Sequence, residues 1–197
     1  MKIVGYHGTC TKHRKSIEKN GLDPGRVNFR KDHWLGQGVY FFDDFDKALW
    51  WARDISNKEW NKGSAALIYR AEIEAAENEI LNLDDNAQVD EFYSFILDHI
   101  ENIEKSDEGK IPIFRPEQMR AVYFDYYKTI KNIFVVIRTF RKDVVKYGSY
   151  RNREQVKKQR QLSNILGICY NEKQICVSVK ECIKDTVEVY NGEEEVI

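Results

Sequence analysis

The sequence predicts an α+β domain built on a mostly antiparallel sheet. Three observations carry that expectation. The chain opens with a short apolar strand pattern and a helix pattern. Its middle repeats apolar residues at helical spacing. Its end is rich in β-branched runs separated by polar turns.

The 197 residues suit one domain, 1–197, with a mainly helical subregion over 84–138. Hydrophobic residues make up 42% and charged residues 32%, which excludes a disordered or collagen-like chain. No internal repeat, low-complexity tract or membrane-length apolar run is found. The first strand is interrupted by His7 and Gly8, so it makes no signal-peptide core, and the expectation is a soluble, cytoplasmic protein without membrane partners. Cys10, Cys169, Cys176 and Cys182 form no C-x-x-C pair and no zinc-type cluster. They read as buried free thiols, and no metal is expected.

The first strand is expected over 2–7, ended by Gly8 and Thr9. Thr11 is placed to cap a helix over 12–20, and Gly21 to terminate it. Asp23, Pro24 and Gly25 signal a turn, followed by a polar loop dotted with aromatics and carrying Arg30, Lys31 and His33. Gly36 and Gly38 then open Val39–Phe42, a β-branched and aromatic run that fits a buried strand. Asp43 or Asp44 caps a helix whose Phe45, Ala48, Leu49, Ala52 and Ile55 share one face. Trp51 lies at the edge of that face and Trp50 opposite it. By itself this stretch reads equally well as a strand-helix corner with two packing tryptophans.

Strands are expected over 66–73 and 80–83. Asn86–Lys105 is a long amphipathic helix, and Pro116 starts another through Tyr127. Residues 132–140 are apolar and β-branched, and the pattern leaves strand and helix both open. Three late strands are expected over 162–170, 174–180 and 186–190, then an acidic tail.

The net charge of −1 hides a division. Residues 72–108 are acidic, with Lys105 their only basic residue. Residues 138–160 are basic, including Arg151, Arg153, Lys157 and Lys158. That segment is either a solvated face or a holder of phosphates, from a dinucleotide or from nucleic acid.

Several of these stretches occur together in a telling order. Tyr6-His7-Gly8-Thr9 comes first, then Ile17 with Gly21-Leu22, then Leu35-Gly36-Gln37-Gly38-Val39-Tyr40-Phe41, then Ala48 with Trp51-Ala52. The set resembles the ADP-ribosyltransferase superfamily, in the branch of the poly(ADP-ribose) polymerases and diphtheria toxin. It covers the first quarter of the chain densely, the last quarter loosely and the middle not at all.

The resemblance implies a split antiparallel sheet and NAD as co-substrate. It implies that His7 bonds the adenosine ribose, that the Gly8 backbone meets the nicotinamide amide, and that Thr9 supports this pocket. Gly38 would border the same pocket. Tyr40 would stack on the nicotinamide ring, with Trp51 as a second aromatic; Ala48 stands near where many relatives carry a serine. The family's acid lies at a late strand, where Glu172 and Gln174 are the candidates. A carboxylate there stabilises positive charge developing on the ribose. The implied activity is transfer of mono-ADP-ribose to a protein or nucleic acid, with the basic segment as an acceptor contact. A toxin or phage-defence role with an antitoxin-like partner is implied by small bacterial relatives. The alternatives are an RNA 2′-phosphotransferase, which shares His-Gly-Thr, and a non-catalytic binder of NAD or ADP-ribose.

Overall fold

The computed structural model describes residues 1–29, 33–105, 116–142 and 153–194. In chain order the elements are β1 (Lys2–Cys10), α1 (Arg14–Asn20), β2 (Val39–Phe42), α2 (Phe45–Ser56), β3 (Ala66–Glu74), β4 (Ile80–Asn82), α3 (Asn86–Lys105), α4 (Pro116–Lys131), β5 (Val135–Lys142), α5 (Arg153–Leu166), β6 (Tyr170–Val177) and β7 (Ile183–Asn191). The seven strands form one sheet in the order β4-β5-β6-β2-β1-β3-β7. All pairings are antiparallel except β4 with β5. The fold is α+β, as the sequence predicts.

The pairing of β1 and β2 sets where the sheet opens. β1 pairs with β3 along its whole length, from Lys2↔Glu74 to Cys10↔Ala66. β2 pairs with β6 from Val39↔Val177 to Phe42↔Gln174. Yet β1 and β2 share a single register pair, Tyr6↔Phe42. The sheet is therefore two halves joined at one point. Beyond that point the next residues, His7 and Phe41, stay paired with β3 and β6 but not with each other.

Alternation along the strands divides the core. Phe41, Leu67, Ile73, Val135, Ile175 and Val177 meet on one side of the sheet. On the other side Val136 and Cys176 pack with Leu35, Phe92, Ile96 and Phe124 beneath α3 and α4. A third cluster joins Phe42 and Ile68 to Ala48 and Ala52 of α2. Because side chains alternate, Glu172 and Gln174 share the Cys176 face of β6.

Asp44, the second of the two expected caps, accepts from the backbone N–H groups of Asp46 and Lys47. The face of α2 is buried at Ala48, Ala52 and Ile55. Gly8 lets this helix come close: a Cβ there would fall 2.2 Å from the Ala48 carbonyl oxygen.

The structure corrects several boundaries. β1 does not stop at His7, because Gly8, Thr9 and Cys10 continue the ladder with β3. Thr11 caps no helix; its hydroxyl accepts from the Ala65 N–H, and a 3-10 turn precedes α1. The undecided stretch is strand β5, paired on both edges. The expected strand over 162–170 is mostly helix: α5 runs to Leu166, and Gly167 at φ 65° turns the chain into β6. Leu162, Ile165 and Leu166 sit at helical spacing but are exposed, so no strand pairing claims them. β6 consequently begins four residues before the strand expected at Gln174. Glu172, expected in a turn, lies inside β6 and is only 6% exposed.

Candidate functional site

Where β1 and β2 part, a cavity of about 210 Å³ opens. Its polar and aromatic wall comes from His7 of β1, Tyr40 of β2, Trp51 of α2 and Gln174 of β6, with Gly38 at the start of β2. These are five of the residues singled out from sequence. Gly8 and Thr9 follow His7 in β1 but do not line the cavity. Gly8 is committed to the α2 contact, and Thr9 is buried opposite Leu67.

His7 takes the place of the broken ladder. Its Nδ1 lies 2.8 Å from the Tyr40 carbonyl oxygen, so Nδ1 carries the proton and donates. Nε2 is then left with its lone pair, an acceptor for a hydroxyl. Burial lowers the His7 pKa, and the bond to Tyr40 only partly opposes it. The ring is neutral at pH 7.

Tyr40 is held at both ends of its hydroxyl. It donates to the Gly36 carbonyl at 2.7 Å and accepts from the Leu35 N–H at 2.8 Å. Burial, aided by nearby Cys176, raises its pKa, so it remains a neutral phenol. Its ring is stacked against the imidazole of His33 at 5.3 Å and 26°. Tyr40 thus already presents a flat ring to another flat heteroaromatic ring. The Cys176 thiol is pushed up to about 11 by burial, and Cys10 is fully buried, so neither offers an accessible thiolate.

Glu172 stands beside the cavity wall. Gln174 Nε2 donates to Glu172 Oε1 at 2.7 Å. Lys142 Nζ approaches the same oxygen at 3.5 Å. The lysine also lies over the Trp34 ring, 4.4 Å from its centroid. Gln174 is therefore the residue that faces the space, and Glu172 supplies charge from one step along the same face.

His33, named from sequence only as part of a polar loop, and Trp34 also line the cavity. The available signal was a pair of ring-bearing residues in a polar loop just before Gly36. That loop is fastened by α4. Buried Lys128 donates to the Gln37 carbonyl at 2.7 Å, and Asp125 accepts from the Gln37 N–H at 2.7 Å. Lys128 and Asp125 are themselves paired at 2.8 Å. Gly36 at φ 83° and Gly38 fit this crossing: a Cβ on Gly38 would fall 2.5 Å from the Val177 carbonyl oxygen.

Among the described residues, none of the basic segment 138–160 lines this cavity. Lys157 and Lys158 are exposed on α5, where Lys158 pairs with Glu154 at 2.9 Å. Arg153 begins that helix, and Arg151 lies outside the described residues. No group of three or more metal-ligating side chains occurs among the described residues. None of the described helices is long and apolar enough to cross a membrane.

Comparison with known proteins places one relative beside this chain. An uncharacterized protein of Methanocaldococcus jannaschii is 26% identical over 196 residues, covering 93% of this chain and 86% of that one. No protein-family model matches the sequence, and no solved structure matches the fold.

Proposed function

We propose that the protein is an NAD-dependent mono-ADP-ribosyltransferase of the poly(ADP-ribose) polymerase and diphtheria toxin-like branch. The observation that carries this reading is the cavity at the split of the sheet. It gathers His7, Gly38, Tyr40, Trp51 and Gln174 from four elements, with Glu172 bonded to Gln174. Chance has little reason to bring residues from both ends of the chain to one opening.

The donor set fits the co-substrate. The free Nε2 of His7 accepts a ribose hydroxyl. Tyr40 and Trp51 offer ring faces to nicotinamide, with His33 yielding the Tyr40 face it covers. Gln174 offers an amide to the second ribose, and the Glu172 charge favours the cationic character that ribose acquires. In the reaction the bond between ribose and nicotinamide breaks, and its electron pair leaves with nicotinamide. The acceptor's nucleophilic atom forms the new bond at the same carbon and releases its proton to water.

The test is nicotinamide release from NAD by purified protein, with cell lysate as acceptor. Wild type releases it, and Glu172→Gln lowers the rate by about 100-fold to 1000-fold, as for loss of one group facing transition-state charge. Equal rates in wild type and Glu172→Gln would remove Glu172 from the mechanism.

A second reading has its own observation. Gln174 rather than Glu172 lines the cavity, and Glu172 is already close to Lys142. That arrangement suits a non-catalytic binder of NAD or ADP-ribose. Tight NAD binding with no nicotinamide release from any variant would select it.

A further inference from the structure

On the far side of Trp34 lies a second, larger cavity, of about 320 Å³. Trp34 lines both cavities. The second is walled by Tyr93 of α3, Arg120 and Tyr123 of α4, and Arg138 and Phe140 of β5. No carboxylate is among its lining residues. The volume reaches the lower end of small-molecule sites, about 300–1000 Å³.

Its chemistry is unusual for a gap under two helices. Tyr93 is 60% exposed, a large ring that the fold leaves uncovered. Arg120 lies over the Trp34 ring at 5.5 Å and is exposed. Arg138 spends one N–H on the Leu83 carbonyl. No ion pair joins Arg120 or Arg138 to a carboxylate among the described residues. Two guanidinium groups that pair with no carboxylate among the described residues, set among aromatic faces, form a receptor for a flat ring that carries a phosphate. A peptide added as a strand would use the edge of β5 beyond Ile137, where the Thr139 N–H is already taken by the Asp84 carboxylate.

We propose that this second cavity binds a nucleotide unit of single-stranded nucleic acid, and that nucleic acid is the acceptor presented to the first cavity. Tyr93 and Tyr123 supply the stacking faces, and Arg120 and Arg138 hold the phosphates. Geometry favours the pairing of the two cavities. Phe140, which lines the second, is the register partner of Glu172 on β6. Lys142 touches both the shared Trp34 and Glu172. A nucleotide seated here therefore lies one residue's width from the candidate acid. The binding claim stands by itself; the acceptor role rests on the transferase reading above.

The test is titration of a short fluorescein-labelled single-stranded oligonucleotide of random sequence, followed by anisotropy without NAD and at several salt concentrations. Wild type binds. Arg120→Gln weakens binding about tenfold and lowers the slope of log affinity against log salt by about one, as for loss of one phosphate contact. Arg120→Lys restores the slope. Arg138→Gln acts in the same direction, but because its guanidinium also holds Leu83, Arg120 at the surface is the primary variant. Tyr93→Ala weakens binding without changing the slope.

No binding by wild type, or equal binding by Arg120→Gln, overturns the proposal. Displacement of the oligonucleotide by NAD at concentrations where AMP leaves it bound also overturns it, because the cavity would then serve the co-substrate. Preference for an unfolded polypeptide such as casein over the oligonucleotide overturns it as well. Since the direct binding titration contains no NAD, a failure of binding condemns the subsite alone, and a failure of nicotinamide release condemns the transferase reading alone.

Discussion

The two cavities beside Trp34 are built by opposite means. The first is a defect in a sheet: β1 and β2 share only the Tyr6↔Phe42 pair, and side chains occupy the opening beyond it. Its dimensions follow from backbone contacts at Gly8 and Gly38, where no Cβ is tolerated. The second is a gap between helices and the sheet face, walled by long aromatic and arginine side chains. Backbone contacts are fixed to fractions of an ångström, whereas Arg and Tyr side chains adjust their rotamers. A reacting centre benefits from the first kind of wall, and a site that accepts varied partners from the second.

Adding a single methyl group attacks the rigid wall most directly. Gly8→Ala drives a Cβ to 2.2 Å from the Ala48 carbonyl oxygen, a backbone atom that cannot swing away. The cost is about 3 kcal/mol, the upper end for overpacking. Thermal unfolding should fall by roughly 10 °C for a chain of this size. An unchanged melting temperature would mean that α2 can retreat from β1, and the rigidity of the first cavity would be an illusion.

The strand residues of the first cavity were legible in the sequence because their determinants are local. His7-Gly8-Thr9, Gly38 to Phe42 and the periodic face of α2 each announce themselves within a few residues. Long-range partners are what sequence does not print. Trp34 acquires its role from Phe140, Lys142 and Arg120, all distant along the chain. The same limit explains α5. Leu162, Ile165, Leu166 and Ile168 look like a buried strand on hydrophobicity, but the fold leaves them exposed, with Ile165 at 77%. Leu162, Ile165 and Leu166 at helical spacing are the better guide to this segment. β5 was undecidable for the converse reason. Its Val135, Val136 and Ile137 are buried on both faces, so neither period appears.

The loop that carries His33 and Trp34 connects the two cavities, and Lys128 is its fastening. Lys128→Met removes the donor to the Gln37 carbonyl and leaves Asp125 without its cation. Met keeps most of the apolar stem, so packing is retained. The cost is about 1–2 kcal/mol, mainly the unpaired carbonyl, since Asp125 is partly solvated. Melting should drop by roughly 5 °C. Affinity for NAD and for the oligonucleotide should weaken together, because both cavities lean on Trp34. Loss at one cavity alone would show that Trp34 is held by Phe140 and Lys142 without help from the loop.

The smallest expected effect separates the cavities by pH. His7 has its pKa lowered, chiefly by burial, so the folded protein resists protonating it. The unfolded chain takes up that proton near the ordinary value of 6.5. Where the unfolded state binds more protons, stability rises with pH. Stability is therefore greatest above pH 6.5 and declines as pH falls below it. His13 is lowered in the same sense by burial and by Lys12, so it contributes to the same slope. Thermal unfolding of wild type between pH 7.5 and pH 5 should thus show a decline that begins at about 6.5. His7→Gln should make the decline shallower, and His13→Gln should make it shallower again. Oligonucleotide binding should carry no part of this dependence, since the second cavity has only arginines among its ionisable cations and these keep their charge throughout. An identical slope in wild type and His7→Gln would mean that the imidazole is solvated, and that the gap in the sheet is open to water where Nδ1 meets the Tyr40 carbonyl.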